Sequence, residues 1–105
     1  MKNSTLIGGG LCALLALAAA PAAADAGLDF AKSKGCTACH DVTKKVIGPP
    51  YAEVAKKYKA QADAQATLVG SILKGSTGKW GAIPMPPNKV TDEEAKKLAA
   101  WVLTL

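Results

Sequence analysis

The chain has 105 residues and a formal net charge of +5, which is enough for one domain and too short for two. All 13 of its basic residues are lysine, so the arginine forks that read phosphates and nucleobases are missing, and we expect no nucleic-acid partner. The aromatic residues are two Trp, two Tyr and one Phe, and so small a core needs an additional staple. The 3 cysteines are too few for a disulfide-rich scaffold.

Residues 1–24 have the layout of a secretory signal peptide. Lys2 precedes an apolar stretch at 6–20, and Pro21 is followed by three small residues. We place the cleavage after Ala24, with Ala26 as the second choice, which leaves residues 25–105 as the exported domain. A retained membrane anchor is the alternative, because the uncharged run 3–24 is long enough to cross a bilayer. Cleavage predicts a bacterial periplasmic protein without stable membrane association.

The exported part begins with two predicted helices, because its apolar residues recur at helical spacing. The first is short and ends at Gly35. The second starts at Pro50 and presents one apolar face, formed by Tyr51, Val54, Ala55 and Tyr58. On its polar side, Glu53 and Lys57 stand four residues apart and are predicted to pair.

Two further helices follow, separated by a long irregular segment. The third helix is predicted from near Asp63 to Gly75, and the fourth opens with a capping box made by Thr91 and Glu94. One face of the fourth helix is apolar and consists of Leu98, Trp101, Val102 and Leu105. The stretch between Gly75 and Thr91 is rich in Gly and Pro, which excludes regular structure. The exported chain is therefore predicted to be a small all-α domain with one long loop.

The sequence C-T-A-C-H at residues 36–40 is a c-type haem attachment signature. Cys36 and Cys39, three residues apart on a helical turn, face the same way and reach the two vinyl groups of one porphyrin, and the imidazole of His40 reaches the iron. A thioredoxin-like dithiol also uses C-x-x-C, but it needs a preceding strand that is missing here. A zinc site would need a fourth ligand, for which no second Cys or His cluster exists.

Met85 is the predicted second axial ligand of the iron. His40 is the only histidine, and Met85 is the only methionine left after the signal is removed. Three prolines around Met85 restrict its segment to extended conformations, which suits a fixed ligand. A His/Met pair favours electron transfer over catalysis, because the thioether raises the reduction potential and fills the position that oxygen would occupy. A haem enzyme or gas sensor with an open sixth position is the alternative.

The motifs GCTACH, IGPPY and KWGAIPMPPN give the chain a resemblance to the small bacterial class I cytochromes of the cytochrome c-551 (cytochrome c8) type, over essentially all of residues 25–105. The resemblance implies a short-loop, all-α fold of four to five short helices around one covalently attached haem c. It implies His40 and Met85 as axial ligands and the Pro49 carbonyl as the partner of the other histidine nitrogen. It further implies that the Asn88 amide contacts the methionine sulfur and that the Trp80 indole donates to a haem propionate.

The same resemblance implies a monomeric electron carrier with redox-protein partners. The donor would be a cytochrome bc complex, and the acceptor a nitrite reductase, an oxidase or a peroxidase. Some relatives carry a basic residue near the propionates where this chain has Ser71. Docking is expected at a haem edge ringed by lysines, drawn from Lys32, Lys34, Lys44, Lys45, Lys56, Lys57, Lys59, Lys74 and Lys79.

Overall fold

The computed structural model describes residues 21–105, and its side chains from residue 26 onward. The chain forms four α-helices in order: α1 (Pro21–Ser33), α2 (Tyr51–Tyr58), α3 (Ala64–Lys74) and α4 (Asp92–Val102). Within the described residues there is no strand, only an isolated bridge between Ser76 and Met85, so the predicted all-α class is confirmed. No helix in this part of the chain combines the length and apolar character needed to cross a membrane.

The predicted signal segment falls mostly outside the structural description. Its first 20 residues lie outside the described residues, and its last four open helix α1. The proposed cleavage bond after Ala24 therefore lies near the start of α1.

Helices α2 and α3 have the positions that the apolar spacing predicts. Helix α2 begins directly after Pro50, and all four residues of its predicted apolar face are buried. Helix α3 begins after Asp63 and ends at Gly75, whose φ of 87° and ψ of 174° belong to a region open almost only to glycine. The backbone changes direction there, so α3 stops and the irregular segment 75–91 begins.

Helix α4 is the element against which the other three helices pack. Its capping box is complete: the Glu94 N–H donates to the Thr91 hydroxyl at 3.1 Å, and the Thr91 N–H donates to the Glu94 carboxylate at 2.9 Å. Helix α4 buries Ala95, Leu98, Ala99, Trp101 and Val102. Leu105, predicted on the same face, lies beyond the helix end and is half-buried.

Contacts between the first and last helices tie the two ends of the domain together. Gly27 lies against Trp101 so closely that a Cβ atom there would come within 2.1 Å of the indole. The Lys34 ammonium lies 2.6 Å from the Glu94 carboxylate, and the Lys97 ammonium lies 4.2 Å from the centre of the Phe30 ring. The α1–α4 pair is therefore held by one close backbone approach and by charges on its rim.

The core of the domain is built around small side chains. The residues with no exposure are Ala31, Ala55, Ala95 and Ala99, and no large side chain in the described part is completely buried. Several larger side chains border a cavity of about 270 Å³, among them Val54 from α2, Leu68 and Ile72 from α3, and Val102 from α4. The centre of the fold is thus shaped to receive a group that the chain itself does not provide.

Candidate cofactor site

The attachment motif lies on one tight turn beside the cavity. Gly35, with a φ of 79°, leads into a 3₁₀ turn over Cys36–Ala38. The Cys39 and His40 N–H groups donate to the Cys36 carbonyl at 3.2 and 3.0 Å. Both thiols are free and half-buried, and Cys36, Cys39 and His40 all line the cavity. The turn therefore gathers the three residues that the sequence singled out.

Burial of the Cys36 side chain disfavours its thiolate form. Burial raises the pKa of Cys36, and a hydrogen bond with the Tyr51 hydroxyl offsets only part of this effect. Burial also raises the pKa of Tyr51, and proximity to Cys36 adds to the rise. This direction is opposite to the lowered pKa that is typical of the reactive cysteine in dithiol oxidoreductases.

Three neighbours fix the imidazole of His40, which is buried. Its Nδ1 lies 2.8 Å from the Pro49 carbonyl oxygen, the contact that the resemblance implies. A carbonyl only accepts hydrogen bonds, so Nδ1 carries the proton and Nε2 keeps a free lone pair. The Tyr51 ring stacks on the imidazole with centroids 4.8 Å apart and planes 18° apart. A Cβ atom on Gly48 would lie 2.7 Å from His40 Cε1, so only glycine fits there.

The loop between His40 and Pro49 is held in place by its own polar groups. The Asp41 carboxylate accepts hydrogen bonds from the N–H groups of Thr43 and Lys44 at 3.0 and 2.9 Å, and these bonds lower the pKa of Asp41. The Gly48 N–H donates to the Cys39 carbonyl at 2.7 Å. The loop therefore returns to the attachment turn and brings the Pro49 carbonyl to His40.

Met85 lines the same cavity from the long segment 75–91. Its backbone exchanges two hydrogen bonds with Ser76: Ser76 N–H donates to the Met85 carbonyl at 2.9 Å, and Met85 N–H donates to the Ser76 carbonyl at 2.8 Å. A Cβ atom on Gly75 would lie 2.6 Å from the Met85 carbonyl oxygen. The position of Met85 is thus set by the end of α3 as well as by its flanking prolines.

Asn88 anchors the far end of the Met85 segment. Its backbone N–H and its side-chain amide both donate to the Ile72 carbonyl at 3.0 Å, and the same amide lies 3.3 Å from the Pro86 carbonyl. These bonds join the segment to α3. The contact of this amide with the Met85 sulfur stays a prediction.

Trp80 also borders the cavity and is 38% exposed. Its ring meets Tyr58 edge to face, with centroids 6.4 Å apart. The Lys57 ammonium lies 4.5 Å from the centre of the indole, whereas Glu53, the predicted partner of Lys57, forms no salt bridge in the described part of the chain. The donation from Trp80 to a propionate stays a prediction.

The residues present fit a haem. The attachment turn and the Met85 segment border one cavity, and the side chains between them are mainly apolar, such as Leu68 and Ile72. The free Nε2 of His40 and the thioether of Met85 are the kinds of ligand that low-spin haem iron takes. Sequence reasoning had assigned Tyr51 only to an apolar face and had overlooked Gly48. The two residues belong to the IGPPY motif, and only the folded chain shows that they surround the imidazole.

A family model described as Cytochrome c matches residues 24–105, which include all the site residues above. The chain belongs to the cytochrome c family. Cytochrome c-552 of Hydrogenobacter thermophilus is 57% identical to it over 76 residues, which cover 72% of this chain and 78% of that protein. Cytochrome c-552 of Nitrosomonas europaea is 50% identical over 106 aligned positions, covering 100% of this chain and 99% of that protein.

Solved structures of two cytochromes have the same fold as this chain. Wild-type Nitrosomonas europaea cytochrome c552 matches with a TM-score of 0.72 at 52% identity, covering 74% of this chain and 98% of that one. The class 1 cytochrome MtoD from Sideroxydans lithotrophicus matches with a TM-score of 0.64 at 33% identity, covering 76% and 92%. The predicted class I cytochrome c fold is therefore confirmed. This chain is a small c-type cytochrome and an electron carrier, and its family attaches haem c covalently through cysteines.

Proposed function

We propose that this cytochrome c holds one haem, attached through Cys36 and Cys39 and ligated by His40 and Met85, and that it carries single electrons in the periplasm. The observation that supports this most directly is that all four residues line one cavity, with His40 Nδ1 already engaged by Pro49. When bound, the haem supplies a reversible one-electron couple between Fe(III) and Fe(II).

The chain's own residues favour electron transfer over catalysis. Pro49 sets the tautomer and orientation of His40, which directs Nε2 to act as the ligand. The thioether of Met85 would hold the iron, favour Fe(II) and leave no coordination position open to oxygen or peroxide. Ligation by both His40 and Met85 would leave no open coordination position for a substrate, which distinguishes this proposal from a haem enzyme or a gas sensor.

Two measurements on the secreted protein test the proposal. Mass spectrometry should show the mass of residues 25–105 plus one covalently bound haem, and N-terminal sequencing should place the cut after Ala24 or, as the second choice, Ala26. The oxidised protein should show a weak far-red absorption band from the sulfur–iron bond. A bare chain mass would refute haem attachment, and rapid carbon monoxide binding by the reduced protein would favour the open-iron alternative.

The ligand role of Met85 has its own test. Met85→Ala should remove the far-red band and lower the reduction potential, because the thioether is replaced by a weaker ligand or by water. Ile83→Ala is the matched control, since Ile83 is 67% exposed on the same segment. The control should keep the band. A band that survives in Met85→Ala would exclude Met85 as the ligand.

We further propose that redox partners dock on the face where the cavity opens. Ile47, Trp80 and Ile83 border the cavity and are 51%, 38% and 67% exposed, which gives that face an apolar centre. Lys79 borders the same cavity, and Lys44 is exposed on the loop that precedes Ile47. Such a surface suits a small, transient contact with an acidic face of the partner.

The other lysines are not equally available for docking. Lys34 pairs with Glu94, and Lys59 donates to the Leu105 carbonyl at 2.6 Å. Of the nine lysines that the sequence suggested for docking, we therefore keep those near the cavity, such as Lys44 and Lys79. The carrier would be a monomer and would dock through the face where the cavity opens. Its donor would be a cytochrome bc complex, and its acceptor a nitrite reductase, an oxidase or a peroxidase. The association rate should fall as salt is added, and a rate insensitive to ionic strength would refute electrostatic steering.

A further inference from the structure

Lys57 links helix α2 to the segment that carries Trp80. Its ammonium lies 4.5 Å from the centre of the Trp80 ring and 5.4 Å from the centre of the Tyr58 ring. The same nitrogen is 3.5 Å from the Lys79 carbonyl oxygen, so it also contacts the backbone one residue before the indole. One side chain thus contacts both the ring and the main chain of this part of the segment.

Lys57 approaches the Trp80 ring from the side that faces away from the cavity. Trp80, Tyr58 and Lys79 border the cavity, whereas Lys57 is not among its lining residues in the described chain. The ammonium therefore meets the indole from outside the cavity. A cation over an indole face is attracted by the negative face of the ring, and at an exposed site this attraction corresponds to roughly a two- to five-fold change in an equilibrium constant.

The backbone of Lys57 is held in place by helix α2. Lys57 lies within the helix, one residue from the buried Tyr58, and its carbonyl accepts a hydrogen bond from the Gln61 side chain at 3.2 Å. The segment around Trp80 has no helix or strand of its own, since residues 78–83 form bends. The helix therefore fixes the backbone from which the Lys57 side chain reaches the irregular segment.

We propose that Lys57 is a positioning residue that holds Trp80 at the edge of the cavity and keeps one positive charge beside that edge. The inference rests on the proposed function, because its consequence is electronic: a nearby cation disfavours the extra positive charge of Fe(III). Loss of Lys57 removes this charge, which lowers the reduction potential, and it releases the indole, which shows in the behaviour of the ring itself. A merely solubilising lysine would do neither beyond the small effect of net charge.

The test compares three variants of the secreted haem protein. Lys57→Gln removes the charge and the contact with the ring, while Lys57→Arg keeps both. Lys56→Gln is the matched control, because Lys56 is the exposed neighbour on the same helix and its loss changes the net charge equally. For each variant we measure the reduction potential and the NMR resonance and solvent-exchange rate of the Trp80 indole N–H.

We expect Lys57→Gln to lower the potential more than Lys56→Gln and to speed indole exchange about two- to five-fold, with Lys57→Arg close to the parent protein. If Lys57→Gln and Lys56→Gln changed the potential and the indole exchange rate equally, in proteins with normal haem mass and far-red band, the positioning role of Lys57 would be overturned. The proposed function would stand. Absence of bound haem would instead overturn the proposed function.

Discussion

The contact between Gly75 and Met85 allows a sharp test of how Met85, the proposed axial ligand, is positioned. In Gly75→Ala the new residue would have to adopt φ 87° and ψ 174°, which costs about 1–3 kcal/mol for any residue other than glycine. The added Cβ would also lie 2.6 Å from the Met85 carbonyl oxygen, a backbone atom held by Ser76. Relieving such overpacking costs about 1–3 kcal/mol more, so we expect a total loss of at least about 2 kcal/mol.

Substitutions at two other glycines separate the cost of backbone strain from the cost of the clash with Met85. Gly78 has a φ of 77° and open space around its Cβ position, so Gly78→Ala carries strain of only about 1–2 kcal/mol without the clash. Gly70 lies inside α3 with open space as well, and Gly70→Ala should stabilise the protein by up to about 1 kcal/mol.

Thermal unfolding of the haem proteins, read with the far-red band, provides the assay. Gly75→Ala should melt at least about 8 °C lower, since 1 kcal/mol shifts the midpoint by about 4–8 °C in a domain of this size. The band should weaken in this variant alone, because the Met85 backbone has to move. The reasoning is refuted if Gly75→Ala and Gly78→Ala melt together and both keep the full band.

Three further predictions concern the other residues of the site and its rim. Cys39→Ala should greatly reduce the yield of covalent haem protein, as judged by mass spectrometry, and an equal yield would contradict the attachment role. Gly48→Ala should displace the His40 ring, because its Cβ would lie 2.7 Å from Cε1; an unchanged potential and unchanged histidine NMR resonances would argue against that packing. The pKa of Glu94 lies below its ordinary value of 4.5 because the Lys34 ammonium and the Thr91 N–H bind its carboxylate. Glu94 therefore stabilises the fold above that pH, and the stability difference from Glu94→Gln should vanish in melts as the pH falls through the lowered pKa.

The sequence predicted helices better than it predicted their neighbours. Apolar spacing located α2, and Gly75 marked the end of α3, because both features depend on local geometry. The partner of Lys57 was predicted wrongly as Glu53, since spacing along one helix carries no information about a ring contributed by a distant segment. The stacking of Tyr51 on His40 was overlooked for the same reason: periodicity shows that a residue is buried but not what covers it.

The residues around His40 show how a short motif orients one side chain. Each member of the motif constrains a different freedom of the imidazole: the Pro49 carbonyl fixes the tautomer, the stacked Tyr51 ring fixes the plane, and the missing side chain of Gly48 leaves room for the ring edge. All three contacts come from the chain itself, so the protein contributes directly to the orientation of the imidazole. Asp41 acts on the histidine indirectly, because its carboxylate stabilises the turn in the loop that brings Pro49 back to His40. In the proposed haem site, such preorganisation would help to keep the geometry around His40 similar in both oxidation states, which would suit fast electron transfer.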